Sequence, residues 1–130
     1  MVVETDRRNR LQVLRSSRQF RVVYDRGSRF QTPFFTLFVL GNVEQHPRVG
    51  ITVTRKIGGA VVRNRCKRRL REVARRHTLL LLGSVGCDIV INAKAAMLKA
   101  DLDEIDKAFA GAVARFRGSI TVKSDLGPNE

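Results

Sequence analysis

The spacing of hydrophobic residues predicts a helix near the start of the chain. Phe20, Val23 and Tyr24 recur at positions i, i+3 and i+4, which places them on one face of a helix. Ser17 is a suitable N-cap before this pattern, and Gly27 is a suitable stop after it. We therefore expect an amphipathic helix that begins at Ser17 and ends just before Gly27.

Two predicted strands follow this helix. Phe34–Leu40 is rich in β-branched and aromatic residues, and apolar residues alternate with small or polar ones over Arg48–Thr54. The segment Gly41–Pro47 between them carries turn residues. The two strands are therefore predicted to form a hairpin with a loop of moderate length.

The period of the hydrophobic pattern changes from two to about 3.6 after Gly59, and three further elements are predicted. They are a helix over about Ala60–His77, a strand over Asp88–Ala93 after a turn at Gly83–Gly86, and an amphipathic helix over Asp101–Phe116. The order α-β-β-α-β-α predicts a single α+β domain, with helices packed on one small mixed sheet. We expect its core to span about residues 11–117, between a loose basic arm over residues 1–10 and a flexible tail over residues 118–130.

The charge of the chain narrows the class of partner. Of its 130 residues, 25 are Lys or Arg and 12 are Asp or Glu, which gives a formal net charge of +13. Positive charge at this density repels itself in a compact domain unless a polyanion neutralises it, and nucleic acid releases counterions when it does so. Arginine outnumbers lysine 19 to 6. Because guanidinium groups bind phosphate in a fork and stack on bases, the composition favours RNA.

Membrane, secreted and zinc-binding classes have little support in the sequence. The longest apolar run, Thr78–Leu82, is too short to cross a bilayer, and the N-terminus is charged from Glu4 onward, unlike a signal peptide. Cys66 and Cys87 lack the CxxC spacing and the nearby histidines of a zinc or redox site. We expect both to be reduced, partly buried thiols in a cytoplasmic protein that does not bind membranes.

The segment Arg55–Arg76 concentrates the positive charge. It holds ten basic residues and a single acidic residue, Glu72. On a helix with about 100° per residue, its apolar side chains fall on one stripe, formed by Val62, Cys66, Leu70 and Val73. The opposite face holds Arg63, Asn64, Lys67, Arg68, Arg71 and Arg75, and a flank holds Arg65, Arg69 and Arg76. Cations repeated at i, i+4 repel one another unless an anion lies between them, so phosphate binding is favoured over a face that is merely solvated.

The same segment carries a family resemblance. The run from Arg55 to Arg71, RKIGGAVVRNRCKRRLR, resembles the signature of the bacterial ribonuclease P protein family. In that signature a basic pair and a glycine lead into a helix of the form A-V-x-R-N-R-x-K-R-x-x-R, and every one of those positions is filled here. The resemblance extends from about Leu11 to Phe116, so it covers most of the chain.

The resemblance implies a fold, partners and contact residues. The family fold is a compact α-β sandwich similar to the second domain of ribosomal protein S5, with a left-handed βαβ crossover. The motif positions that would contact the catalytic ribonuclease P RNA are Arg55, Lys56, Arg63, Asn64, Arg65, Lys67, Arg68 and Arg71. The single-stranded 5′ leader of precursor tRNA would lie in a cleft between the first helix and the sheet, against Phe20, Tyr24 and Phe38. Phe38 departs from the tyrosine expected there, and the spacing of Phe20 and Tyr24 fits a core position equally well.

No catalytic centre is expected on this chain. Its one cluster of carboxylates, Asp101–Asp106, lies where capping and the helix dipole favour acidic residues, and it lacks the glycine and distal glutamate of an EF-hand loop. His46 is interpreted as a loop residue and His77 as a cation at the end of its helix. The resemblance implies that the RNA subunit holds the catalytic Mg²⁺ and hydrolyses the phosphodiester. The protein, expected to be monomeric alone, would neutralise phosphates and grip the leader.

Three other functions remain open on the sequence. A ribosomal or ribosome-assembly protein would share the charge and the fold but would lack the signature. A DNA-binding module would offer Asn, Gln and Ser to base edges, whereas this face is almost entirely cationic. An autonomous nuclease would need carboxylates in the basic cleft to hold its metal.

Overall fold

The computed structural model describes residues 12–44, 46–82 and 86–126. The predicted basic arm, most of the predicted Gly83–Gly86 turn and residues 127–130 lie outside this range. The elements in chain order are β1 (Gln12–Val13), α1 (Ser17–Arg26), β2 (Ser28–Gln31), β3 (Phe35–Gly41), β4 (Pro47–Thr52), α2 (Ala60–Leu82), β5 (Cys87–Ala93), a 3-10 helix (Ala95–Leu98) and α3 (Leu102–Leu126). The predicted α+β class is confirmed, with β1, β2 and the 3-10 helix as elements that the sequence pattern did not predict.

The strands form one mixed sheet in the order β1-β4-β5-β3-β2. β4 and β5 are parallel neighbours joined through α2, β3 runs antiparallel to β5, and β2 and β3 are an antiparallel pair. β1 is parallel to β4 and pairs only with Arg48 and Val49. The connection through α2 is therefore a βαβ crossover, and its left-handed sense stays a prediction.

The predicted hairpin of β3 and β4 is wrong, because β5 lies between these two strands. Every residue of Cys87–Ile91 is buried, and alternate side chains point to opposite faces of the sheet. A strand covered on both faces is stable at the centre of a sheet, where neighbouring strands and helices surround it. Proximity along the chain favoured pairing of β3 with β4, but the burial of β5 decides the strand order.

Helices cover the two faces of the sheet unequally. The main core lies between the sheet and the pair α2 and α3, and it contains Leu37, Val39, Ile89 and Ile91 from the strands and Leu70, Val73, Ile105 and Phe109 from the helices. On the opposite face α1 packs through Val23, which meets Leu14 and Val90 in a smaller buried cluster. Phe20 and Phe38 border this cluster and are only partly buried. The face beneath α1 is therefore the more open side of the sheet.

The two ends of α1 are fixed by different contacts. Its N-cap is Ser16 and not the predicted Ser17: the Ser16 hydroxyl accepts from the Gln19 amide at 3.1 Å, and the Gln19 side chain accepts from the Ser16 amide at 3.1 Å. Gly27 ends the helix as predicted, and a glycine is needed at this position because a larger residue would not fit. A Cβ at Gly27 would lie 2.6 Å from the carbonyl oxygen of Val23.

Both long helices extend beyond their predicted ends. α2 continues past His77 to Leu82, and no glycine or proline interrupts the sequence between Ala60 and Gly83. α3 continues past Phe116 to Leu126, into the segment predicted to be a flexible tail. Within the ranges that the structure describes, no helix is long and apolar enough to cross a bilayer.

Candidate nucleic-acid interface

One side of α2 is buried and the other side is cationic, as the sequence predicts. Cys66, Leu70, Val73 and Ala74 lie in the main core, and Val62 at the edge of the stripe is half-buried. This stripe anchors the helix on the sheet and directs its remaining side chains outward.

The predicted RNA contacts lie on this outward face and in the turn before it. Arg55 and Lys56 are exposed in the turn after β4. On α2 the exposed contacts are Asn64, Arg65, Arg68 and Arg71, and the half-buried ones are Arg63 and Lys67. Counting only partners among the described residues, none of these side chains forms a hydrogen bond or an ion pair with the protein. We call the α2 members of this set the cationic face.

Other arginines of the same helix are held by the protein. The guanidinium of Arg69 donates to the carbonyl oxygens of Met97 at 3.2 Å and Ala100 at 2.8 Å, which ties α2 to the 3-10 helix and the segment after it. Arg75 and Arg76 form ion pairs with carboxylates of α2 and α3 at 2.8 and 3.1 Å. On α2, the cations that lack a partner in the described structure are therefore the ones that the signature specifies.

Tyr24 and Phe38 lie at the centre of the second predicted surface, between α1 and the open face of the sheet. Their rings pack edge to face, with centroids 5.0 Å apart and an interplanar angle of 87°. The Tyr24 hydroxyl donates to Oδ1 of Asn92 at 2.8 Å and lies 3.3 Å from Oγ1 of Thr52. The hydroxyl end is held, while the residue as a whole remains 36% exposed and lines a surface hollow, so Tyr24 stays partly accessible.

Phe20 lies one helical turn before Tyr24 and packs against β4. Its ring occupies the space above Gly50, where a Cβ would lie only 2.4 Å from Cζ of Phe20. Phe20 and Tyr24 line one hollow with Thr52, and the polar residues around it are Arg15, Ser17, Arg21 and Asp25. The structure thus brings the three predicted aromatic residues to one side of the sheet, and we call this region the α1 cleft. Phe20 and Phe38 are also packed against the small core, so each contributes to both packing and surface.

Sequence reasoning missed three residues of this region. Thr52 and Asn92 are register partners on the parallel strands β4 and β5, and they meet beneath Tyr24 only because these strands are neighbours. The guanidinium carbon of Arg29 lies 5.7 Å from the centroid of the Phe38 ring, within the range of a cation–π contact. A polar residue near the end of each strand was the available signal, but it has meaning only once the strand order is known.

Three carboxylates at the start of α3 have structural partners. Asp101 and Glu104 form a capping box, in which the Glu104 amide donates to Asp101 at 2.9 Å and the Asp101 amide donates to Glu104 at 3.1 Å. Asp106 accepts from Arg76 and lies 2.8 Å from Nε2 of His77, a close contact without hydrogen-bond angles. The prediction of His77 as a helix-terminal cation is wrong, since α2 continues past it. Among the residues described, no group of three or more His, Cys, Asp or Glu could hold a metal ion.

A buried ion pair joins β4 to β5 near the opposite end of the open face. Asp88 accepts two hydrogen bonds from Arg48, at 2.8 and 2.9 Å, and one from Nδ2 of Asn42 at 2.6 Å. This bidentate bond to Asp88 raises the pKa of Arg48. Both cysteines are free, as predicted, but they are fully buried and not partly buried as expected. Burial raises the pKa of the Cys87 thiol to about 12. The protonated thiol is therefore a packing group and not a nucleophile.

Comparison with known proteins assigns the family. The profile of the Ribonuclease P family matches residues 8–117. The chain belongs to the ribonuclease P protein family. The ribonuclease P protein component of Clostridioides difficile is 34% identical over 107 residues, which cover 82% of this chain and 93% of that protein. The component of Syntrophus aciditrophicus is 44% identical over 81 residues, covering 62% of this chain and 66% of that protein. The ribonuclease P protein of Thermotoga maritima superposes with a TM-score of 0.71 at 28% identity, covering 82% of this chain and 97% of that chain.

Family membership establishes the function in outline. The chain is a protein subunit of ribonuclease P, the endoribonuclease that matures the 5′ end of tRNA, and its partners are the RNA subunit and the tRNA substrate. The match extends well beyond the signature, over nearly the whole folded domain. The ribosomal, DNA-binding and autonomous-nuclease alternatives are therefore set aside.

Proposed function

We propose that this chain uses two surfaces in ribonuclease P: the cationic face of α2 binds the backbone of the catalytic RNA, and the α1 cleft binds the single-stranded 5′ leader. The observation that carries the proposal is the division among the arginines of α2. Arg69, Arg75 and Arg76 have protein partners, whereas the signature cations have none among the described residues. Unpaired cations held on one face by a buried stripe form a surface that is complementary to a polyanion.

Electrostatics on α2 supports RNA backbone as the partner. Arg63, Lys67 and Arg71 follow one another at i, i+4, a spacing at which like charges destabilise a helix by roughly 0.2–0.5 kcal/mol per pair. Phosphates between these side chains replace repulsion with attraction and release counterions from the RNA. Exposed guanidinium groups such as Arg65 also match the fork geometry of a phosphate. Contacts of this kind position the protein without reading sequence.

The α1 cleft suits a single-stranded leader. Edge-to-face packing on Phe38 and the hydrogen bond to Asn92 hold the Tyr24 ring in place before any ligand arrives. A base stacked on an aromatic ring contributes roughly 1–3 kcal/mol and tolerates any base identity. Phe38 lacks the hydroxyl that the family pattern has at this position, so hydrogen bonding to the leader falls to Thr52 and Asn92.

The chemical step is proposed to take place on the RNA. Mg²⁺ supplies Lewis-acid and charge stabilisation in phosphodiester hydrolysis, and it needs convergent oxygen ligands. The described carboxylates do not offer such a set. Asp101, Glu104 and Asp106 cap α3 or contact cations, and Asp88 is bonded to Arg48. No group of three or more His, Cys, Asp or Glu in the described ranges could hold a metal ion. The residues of this chain bind and orient the two RNAs. Since mature tRNA lacks the leader, a grip on the leader favours precursor over product.

The test is cleavage of a 5′-extended precursor tRNA by a bacterial ribonuclease P RNA at low Mg²⁺, with and without the full chain. The test variant is Arg65→Ala with Arg68→Ala. The charge-matched control is Lys99→Ala with Lys107→Ala, two exposed lysines after the 3-10 helix and on α3. Wild type is expected to stimulate cleavage only when the RNA is present. The test variant should lose this stimulation and lower the slope of log affinity for the RNA against log salt by about 2.

The control variant separates a specific surface from net charge. It removes the same number of charges and should stimulate cleavage as wild type does. Equal loss in both variants would show that overall charge, and not the cationic face, binds the RNA. Cleavage by the protein alone would overturn the assignment of the chemistry to the RNA.

A further inference from the structure

A cavity lies between the cationic face and the α1 cleft. Its volume is about 300 Å³, and its apolar walls include Val13, Phe20, Val49 and Ile51. The cavity lies beside the part of the β4 edge that the short strand β1 leaves open. β1 pairs only with Arg48 and Val49, and beyond them the edge of β4 has no partner strand among the described residues. An open edge presents backbone N–H and C=O groups outward, so the cavity combines apolar walls with hydrogen-bonding groups.

The cavity is continuous with both proposed RNA surfaces. Phe20 lines this cavity and also the hollow of the α1 cleft. Lys67 and Arg71 line the cavity and also a shallow depression on the cationic face. The cavity therefore borders both proposed RNA surfaces.

We propose that this cavity binds one unstacked nucleotide of the bound RNA, with its base against Phe20 and Ile51 and its phosphate on Lys67 and Arg71. The proposal rests on the proposed function, because it requires that RNA lie on the neighbouring surfaces. It assigns a pocket for one base that lies beside the backbone contacts of α2, shares Lys67 and Arg71 with them, and is separate from stacking on Tyr24.

Size, wall chemistry and charge together favour a nucleotide. Ligand sites in proteins range from roughly 300 to 1,000 Å³, so this cavity accepts one small planar group and not a larger ligand. Unstacked RNA bases bind where an aromatic face lies beside hydrogen-bonding groups, and Phe20 and the β4 edge provide that combination. Lys67 and Arg71 make no ion pair within the described structure, so a neutral apolar ligand would leave two cations uncompensated.

The first experiment titrates the full chain with adenosine and uridine 5′-monophosphate, and separately with inorganic phosphate, while methyl NMR spectra are recorded. The methyl signals of Val13, Val49 and Ile51 report on the cavity, and that of Val43, 91% exposed in a loop, reports on nonspecific effects. Nucleotides should shift the cavity signals in a saturable way, and phosphate should not. Unmoved cavity signals, or equal shifts with phosphate alone, would overturn the proposal.

The second experiment fills the cavity without changing charge. Val13→Trp places a large ring at the cavity wall from a position that is 53% exposed, and Val43→Trp is the matched control. Val13→Trp should weaken binding of the catalytic RNA by about 5- to 150-fold, the range that one stacked base contributes, with an unchanged salt slope. The control should bind as wild type. The nucleotide titration of wild type remains decisive if Val13→Trp fails to fold.

The outcomes distinguish this inference from the proposed function. If Val13→Trp binds RNA as wild type while Arg65→Ala with Arg68→Ala binds weakly, the nucleotide site is wrong and the proposed function stands. If both variants bind as wild type, both fail. Deletion of residues 1–10 tests the other occupant. If the deletion alone shifts the cavity signals, and if nucleotides bind only to the deletion variant, then residues 1–10 fill the cavity in the full chain. That result would overturn the proposal.

Discussion

Replacing Gly50 with alanine tests how Phe20 is seated in the α1 cleft. A Cβ at Gly50 would lie 2.4, 2.8 and 3.1 Å from Cζ, Cε2 and Cε1 of the Phe20 ring. Carbon atoms in favourable contact are about 3.5–4.0 Å apart, so the ring must retreat by roughly 1 Å. β4 is paired to β5 along its whole length, and the ring is therefore the part that moves.

Two opposing effects set the change in stability. Overpacking a well-filled site costs about 1–3 kcal/mol, whereas alanine restricts the unfolded chain and returns about 0.4–1 kcal/mol. Gly50→Ala is therefore expected to lower the free energy of unfolding by about 1–2 kcal/mol, measured by urea denaturation. Adding Phe20→Leu removes the clash and should recover most of this loss.

The same substitution should change binding of precursor but not of product. A base that loses its stacking partner gives up roughly 1–3 kcal/mol, so affinity of the reconstituted enzyme for precursor tRNA should fall about 5- to 150-fold. Mature tRNA has no leader, and its affinity should stay as in wild type. The double variant with Phe20→Leu should regain stability while its precursor binding stays weak. Wild-type precursor affinity in Gly50→Ala, or a gain in its stability, would show that Phe20 is not seated against β4.

Three further predictions concern groups outside the α1 cleft. Asp88→Ala should lower the free energy of unfolding by about 3 kcal/mol, measured by urea denaturation. This is the low end of the range for a broken buried ion pair, because the Arg48 side chain keeps 22% exposure. The double variant Arg48→Met with Asp88→Leu should recover the loss. Arg69→Ala should lower the melting temperature, measured by calorimetry, and leave the salt slope of RNA binding unchanged. Its neighbour Arg68→Ala should leave the melting temperature unchanged and lower the salt slope, measured by RNA titrations. The pKa of Cys87 is raised from 9.0 to about 12, so the thiol of the folded protein should resist iodoacetamide at pH 9, and rapid labelling of native protein would contradict this. The stability of wild type relative to Cys87→Ala should be fully present below pH 9 and should fall as the pH rises toward 12.

The parts of the fold that depend on local pattern could be predicted from the sequence. The apolar stripe of α2 and its cationic face follow from a period of about 3.6 over a long segment, and Leu70 and Val73 are buried where that period places them. The signature cations were found by their fixed spacing. The sequence could not show that Arg69 is bonded to the protein while its neighbour Arg68 is free of such contacts in the described structure. The acceptors of Arg69, Met97 and Ala100, lie 28 and 31 residues away along the chain.

The parts that depend on pairing between distant strands could not be predicted. β1 and β2 are two and four residues long, too short to carry a pattern of their own. The order of β3, β5 and β4 depends on which strand needs cover on both faces, and this became clear only from the packed structure. Thr52 and Asn92 belong to the candidate site through that order alone.

β4 connects the two RNA surfaces physically. Its residue Gly50 seats Phe20, its last residue Thr52 lies beneath Tyr24, and the turn that follows it carries Arg55 and Lys56 into α2. Residues of both surfaces are thus attached to or packed against the same strand, which pairs with β5 along one side. On the proposed function, this shared strand would set the distance between the leader and the catalytic RNA, so a substitution that shifts β4 should impair both interactions together. The Phe38 side chain lies on the α1 side of the sheet and outside the core that holds α2, so a substitution of Phe38 itself should impair leader binding alone.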